Sequence, residues 1–214
     1  MIRAGLCTLL TLALGACSNT GDTVFDIRKT LFPGDQEFVQ RYQTAAQAQA
    51  PQLKLLLVEF DEASLISQDS VRDGIVTWIT PDGGTLGTKD GFLVTTNGFG
   101  IGLLSSDVEE PRAMIASGVE GPSTRFHTYL NGNDRTTTRT YKCVIKNQGF
   151  QDIVLGNDPT QGQTVRTFIW SEDCQSLDQK FQNLYWVVPG SNRIVQTVQW
   201  TGEFVGEVAT QVVP

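Results

Sequence analysis

The chain has 214 residues, 16 Lys and Arg against 23 Asp and Glu, a net charge of −7, and 40% hydrophobic residues. That length supports one domain with a real hydrophobic core. The acidic balance argues against nucleic acid as a partner and against adhesion to an anionic membrane by charge.

Met1-Ile-Arg3 is a short basic start, and Leu6 to Leu14 is an uncharged apolar run of signal-peptide length, too short to span a bilayer. Leu14-Gly-Ala-Cys-Ser18 closes it. This segment resembles a bacterial lipoprotein signal. Leu14, Gly15 and Ala16 form the lipobox, the small Gly15 and Ala16 letting the backbone be gripped in extended form, and the Cys17 thiol accepts diacylglycerol and becomes the new N-terminus. The plainer alternative is a secretory signal with a chance cysteine. Residues 1–16 are therefore expected to be removed, 17–23 (Cys-Ser-Asn-Thr-Gly-Asp-Thr) to form a lipidated tether, and 24–214 to form a single β-rich domain. Losing Arg3 makes the mature chain one unit more negative, so membrane contact is expected through lipid. Ser18 follows the lipidated position; an aspartate there retains enteric-type lipoproteins at the inner membrane, and serine resembles an outer-membrane address.

Val24 to Phe32 reads as a short helix or an extended segment, and the pattern does not decide. Gly34 to Ala50 carries Phe38, Tyr42 and Ala45 or Ala46 at helical spacing, with Asp35 and Glu37 early and Pro51 just past the end. After Pro51 the period becomes strand-like. Lys54–Phe60 and Gly74–Thr80 read as strands, Pro81-Asp-Gly-Gly84 as a reversal, Thr85–Thr88 and Phe92–Thr96 as a hairpin about Lys89-Asp-Gly91. Asn97-Gly98, Gly100 and Gly102 break regular structure, and Glu109-Glu-Pro111 reads as a solvated loop.

Thr124–Leu130 and Thr136–Lys146 flank a turn at Asn131–Asp134; Tyr141, Cys143 and Ile145 share the inward face of the second strand. Thr164–Ser171, Phe181–Val188, Arg193–Trp200 and Phe204–Val213 complete about ten strands. No alternation of strand with helix occurs, so the expected fold is mainly β. Antiparallel sheets form a curved sandwich or open barrel with one or two N-terminal helices.

Of four cysteines, Cys7 leaves with the signal and Cys17 takes lipid. In an exported chain the remaining Cys143 and Cys174 most simply pair, closing a loop worth roughly 3–4 kcal/mol by chain entropy. Two buried free thiols are the alternative. The single histidine, His127, lies in a strand pattern with no ligand spacing to either cysteine, so no metal and no cofactor is expected.

No Gly-x-Ser-x-Gly elbow or phosphate-binding glycine loop is present, and acid pairs such as Glu59/Asp61 and Glu109/Glu110 are neighbours in sequence only. The expectation is a protein that is not an enzyme. Trp78, Trp170, Trp186 and Trp200 are candidate glycan-stacking platforms, weighed against ordinary packing inside apolar strands.

Asp73-Gly-Ile-Val-Thr-Trp78, Thr80 to Leu86, Asp90-Gly-Phe-Leu-Val-Thr-Thr96, Gly98-Phe-Gly-Ile-Gly-Leu-Leu104, Arg139-Thr-Tyr-Lys-Cys143 and Gln199-Trp-Thr-Gly202 resemble the YjbF/GfcB family of group 4 capsule polysaccharide lipoproteins. The resemblance implies a β-rich, lipid-anchored outer-membrane protein on the periplasmic side, produced with exopolysaccharide or capsule secretion machinery and without an assigned enzymatic activity. Expected partners are the outer membrane, through the N-terminal lipid, and polysaccharide-export proteins. The first expectation for function is an accessory or assembly factor in exopolysaccharide or capsule production and secretion; the alternative is a module that binds an acyl chain or glycan in a curved β-sheet.

Overall fold

The computed structural model describes residues 34–130, 133, 135–156 and 162–214, with side chains from Glu37 onward. The signal, the lipobox, Cys17, Ser18, the tether and Val24–Phe32 lie outside the described residues.

Tight turns set the topology. Asp73-Gly74 and Asp90-Gly91 all have positive φ, the conformation of a two-residue hairpin turn whose twist matches paired strands. Each reverses the chain at once. Helix α1 (Gly34–Gln47) is followed by β1 (Gln52–Leu57), a single 3-10 turn (Val58–Phe60), β2 (Glu62–Arg72), β3 (Ile75–Ile79), β4 (Thr85–Lys89) and β5 (Phe92–Asn97). Then come β6 (Leu103–Asp107), helix α2 (Glu109–Ala116), β7 (Gly121–Leu130), β8 (Thr136–Leu155), β9 (Gln163–Gln175), β10 (Lys180–Val187), β11 (Ile194–Gly202) and β12 (Gly206–Val212).

The twelve strands among the described residues form one antiparallel sheet in the order β5-β4-β3-β2-β1-β12-β11-β10-β9-β8-β7-β6. Strands adjacent in sequence pair throughout, and β12 pairs with β1, so the meander nearly closes into a barrel with one seam, between β5 and β6. Side chains stitch that seam. Thr95 Oγ1 donates to the Leu103 carbonyl at 3.1 Å, and Leu103 N donates to Thr96 Oγ1 at 2.9 Å. Across the interior, Gln199 of β11 accepts from Leu93 N and donates to the Gly91 carbonyl, both at 2.9 Å, which satisfies part of the β5 edge.

The strand between β1 and β3 is one that periodicity passed over. Glu62–Arg72 is rich in Ser, Gln and Asp, and it is a strand because both its edges are paired. Glu109-Glu-Pro111 opens α2 where a solvated loop was expected. Two acids at a helix start oppose the dipole, and proline in the first turn loses no helical hydrogen bond. Of the two described helices, therefore, one precedes the sheet and one lies mid-chain.

Among the described residues the interior holds three apolar clusters, one around Leu55, Ile66 and Leu86, one around Phe92, Ile115 and Ile145, and one of Tyr141, Phe181 and the Cys143 and Cys174 pair. A fourth lies outside the barrel. β8 and β9 run beyond β7 as a long hairpin that curls over β10–β12, packing Ile153 and Leu155 on Trp186 and Val195. Lys54 donates to the Gly156 carbonyl, and Gln211 to that of Val154 at 3.3 Å, fastening the hairpin to β1 and β12. Burying side chains of this size contributes about 1.5–3 kcal/mol each.

Strand connections gather at two ends. The lower end carries the 3-10 turn and the β3–β4, β5–β6, β7–β8, β9–β10 and β11–β12 connections; the upper end carries the two Asp-Gly turns, α2 and the β10–β11 connection. Helix α1 lies along β2 and β3. Phe38 packs on Gly83 in the lower β3–β4 turn, where an added Cβ would come within 2.9 Å of it. Higher up, Tyr42 donates to the Leu65 carbonyl at 3.1 Å and Arg41 pairs with Asp69. The Pro51 carbonyl accepts from Gln68 N at 2.8 Å. The helix therefore starts at the lower end and climbs.

Candidate functional site

On β7 the interior face is polar. Ser123, Arg125 and His127 alternate inward while Phe126 lies 40% exposed, the reverse of the usual pattern. Arg125 is 1% exposed and meets Glu172 of β9, which is fully buried. Its Nε donates to Glu172 Oε1 at 3.0 Å, and a terminal guanidinium nitrogen lies 3.0 Å from Oε2 and donates to the Tyr185 hydroxyl oxygen at 2.9 Å. Tyr185 in turn donates to Glu172 Oε2 at 2.9 Å, and Asn183 Nδ2 donates to the same oxygen at 2.8 Å.

Every lone pair of the carboxylate that faces a donor is thus occupied. Burial, the largest single influence, pushes the Arg125 pKa down, but the Glu172 charge, Tyr185 and the hydrogen bonds to both together outweigh it and hold the guanidinium above its ordinary value. Burial drives the Tyr185 hydroxyl well above the usual phenol range. Such a network joins β7, β9 and β10 through charge-assisted hydrogen bonds between fully buried groups. Chemically it is a clamp.

Below it, His127 is fully buried between Phe181, stacked at 5.7 Å, and Tyr141, edge-on at 5.1 Å. Nδ1 lies 2.9 Å from the Tyr129 hydroxyl, while Nε2 has no hydrogen-bond partner. Burial first, and the Arg125 charge second, depress its pKa well below the ordinary histidine value. The ring is neutral at physiological pH.

Cys143 and Cys174 face each other directly across β8 and β9 and form a disulfide, with Cα atoms 4.0 Å apart. Glu172 lies close enough to both sulfurs for the three to resemble a ligand set, within 4.8 Å. The sulfurs are bonded to each other and the carboxylate is committed to Arg125, so these residues do not fit a metal.

The four tryptophans pack. Trp78 donates to Thr88 Oγ1 at 2.8 Å, Trp186 to Gln151 Oε1 at 2.7 Å beneath the hairpin, and Trp170 is buried in the Phe92 cluster. Trp200, half-buried, stacks on Phe181 at 5.7 Å. Their ring faces lie against protein, and the structure does not bring the four together as one platform.

A cleft of about 430 Å³ opens at the upper end, with Phe92, Ile115 and Ile194 as apolar floor and Arg112, Asn192 and Arg193 as polar wall. Arg112 is committed to neighbours, 2.9 Å from Asp90 and 2.6 Å from Glu109. Lys89 and then Arg112 pull the Glu109 carboxyl down to about 2.

Sequence reasoning missed Arg125, Glu172, Asn183 and Tyr185. The available signal was the Ser123-x-Arg125-x-His127 alternation, polar at the very period that should face inward.

No described helix is long and apolar enough to cross a membrane. The chain belongs to the family described as group 4 capsule polysaccharide lipoprotein gfcB, YjbF, whose model matches residues 27–213. Among solved structures it is similar to the hypothetical lipoprotein YmcC from Escherichia coli (K12), with a TM-score of 0.67, 19% identity, and coverage of 89% of this chain and 95% of that one. At that identity the likeness shows the fold. No curated protein matches the chain.

Proposed function

Starting from membership of this capsule-polysaccharide lipoprotein family, we propose that the protein is an outer-membrane lipoprotein, held by lipid on Cys17 and facing the periplasm. There it serves as an accessory or assembly factor for production and export of a capsule or exopolysaccharide, without catalysing a step. The observation that carries this reading is the family match across nearly the whole barrel, joined to the Leu14–Cys17 lipobox. A supporting observation is where the chemistry lies. Glu172 and Arg125 are sealed in the barrel wall and occupied with each other, and His127 is buried beside them, which leaves the outer surface to meet partners.

Deleting the gene should lower secreted polysaccharide, and the wild-type chain should restore it while Cys17→Ala does not. Ser18→Asp should move the protein to the inner-membrane fraction in a host with that sorting rule. Normal polysaccharide in the deletion strain refutes the export role; unchanged fractionation of Ser18→Asp refutes Ser18 as the address.

A further inference from the structure

Large exposed apolar side chains gather at the lower end. Val58 and Phe60 sit on the 3-10 turn, Ile101 and Leu104 on the β5–β6 connection and β6, Leu130 at the end of β7, and Phe204 in the β11–β12 turn, with Phe60 51% and Phe204 57% exposed. Leu177 in the β9–β10 turn is fully exposed. Single exposed apolar residues are ordinary, but these come from five separate connections that share one end of the barrel.

All but Leu177 belong to segments that touch one another. Phe204 covers Gly100, where an added Cβ would lie 2.2 Å from its ring. Ile101, Leu104 and Leu130 line one depression of about 250 Å³. Gly206, two residues past Phe204, lies against Glu59 of the 3-10 turn. At the upper end Val71, Val119 and Val144 are exposed on β2, before β7 and on β8, while Phe150 and Val154 lie on the long β8–β9 hairpin, where Phe150 stacks on Phe168 at 4.1 Å with the Arg166 guanidinium over its ring.

The chain enters at the same end, because α1 begins beside the β3–β4 turn. Residues 17–33 separate Cys17 from that start. A segment of this length reaches at most about 60 Å fully extended and, as a flexible coil, roughly 20–25 Å. A ten-residue strand rises about 33 Å, so the upper end stands roughly that much farther from the anchor.

We propose that the apolar lower rim is a membrane-contact surface, seated in the interface of the bilayer that holds the Cys17 lipid. The proposal rests on the lipidation reading. Membrane anchoring by few acyl chains is strengthened by a second apolar signal, and side chains such as Phe60 and Phe204 suit the headgroup boundary. The upper end, with its cleft, then faces the aqueous side. Glu59, Asp61, Glu62 and Glu203 border the rim, so the favoured surface is zwitterionic rather than anionic lipid.

The test uses the full lipidated chain, purified and reconstituted into phosphatidylcholine or phosphatidylglycerol vesicles carrying a nitroxide on the acyl chain. A fluorophore is attached to a single added cysteine, Phe204→Cys or Ile101→Cys on the rim, or Ser191→Cys at the upper end; retained far-UV circular dichroism shows that each variant folds. The expected result is several-fold stronger lipid quenching at both rim positions than at Ser191, and stronger in phosphatidylcholine. Quenching at the rim no greater than at Ser191 overturns the proposal. So does a rim label shielded from aqueous iodide yet untouched by the lipid quencher, since protein then covers it. Intact mass separates the two readings: an unmodified Cys17 overturns both, whereas a lipidated Cys17 with equal quenching at the two ends overturns the rim alone.

Discussion

Replacing Glu172 by Gln tests whether the buried clamp behaves as a paired charge. The substitution keeps the shape of the side chain and removes its charge, leaving the Arg125 guanidinium, 1% exposed, without a counterion. It also turns one carboxylate oxygen into an amide donor facing donors: Oε1 receives Arg125, and Oε2 receives Tyr185 and Asn183. Removing one partner of a buried pair costs about 3–5 kcal/mol, chiefly because a buried charge is left uncompensated. For a domain of this size that corresponds to a melting shift of roughly 6–20 °C. Urea unfolding of residues 17–214 carrying Cys17→Ala measures it, with the midpoint falling and the slope unchanged. Arg125→Met together with Glu172→Leu should recover most of the loss, since neither charge then remains. A Glu172→Gln loss below about 1 kcal/mol, or a double variant no better than the single, would refute the uncompensated-charge argument.

Two further outcomes are expected on the same soluble chain. The folded His127 pKa lies below its unfolded value near 6.5, so the unfolded chain takes up the proton first; the stability from the neutral ring is complete above about pH 6.5 and declines as pH falls toward the folded value, by up to about 1.4 kcal/mol per pH unit. His127→Phe should flatten that decline between about pH 7 and pH 5, and urea midpoints falling in parallel for both chains would count against it. Cys143→Ser should lower stability by about 3–4 kcal/mol, from a bridge spanning 31 residues. Thiol labelling of the unfolded, unreduced parent should find no free cysteine; two reactive thiols would remove the basis of that estimate.

Much of the strand architecture was readable from local pattern. Lys89-Asp-Gly91 announced a hairpin because its residue types suit the turn whatever surrounds it, whereas the same turn at Asp73-Gly74 went unread with the β2 strand that precedes it. Tyr141, Cys143 and Ile145 alternate with Lys142, Val144 and Lys146, and the first three are buried and the others exposed. The helix of α2 was also present in Glu109-Glu-Pro111, as acids and proline at the start of a helix, but two acids before proline equally suit a solvated turn. β2 carried no comparable alternation. Its strand character comes from partners on both edges, which no window of its own sequence contains.

The interior was harder to read. β11 alternates Val198 against Thr197, Gln199 and Thr201, and periodicity favours the apolar residue inward. The reverse holds: Thr197, Gln199 and Thr201 are buried, Gln199 bridging to β5, while Val198 packs in the core beneath the β8–β9 hairpin. β7 inverts the rule in the same way around Arg125.

What the residues by themselves determined was the lipobox expectation at Leu14–Cys17, the mainly β class, the turns, the likelihood of pairing between two leftover cysteines, and the family resemblance. Each follows from neighbours along the chain or from a count. The tertiary structure alone decided that Cys143 meets Cys174 across one strand pair, that Arg125 finds Glu172 and Tyr185, and that a hairpin covers the outside of the barrel. It also decided that five connections bring their exposed apolar residues to the end where α1 begins. The reason is physical: alternation gives a strand two faces, but which face is dry depends on what another part of the chain lays against it.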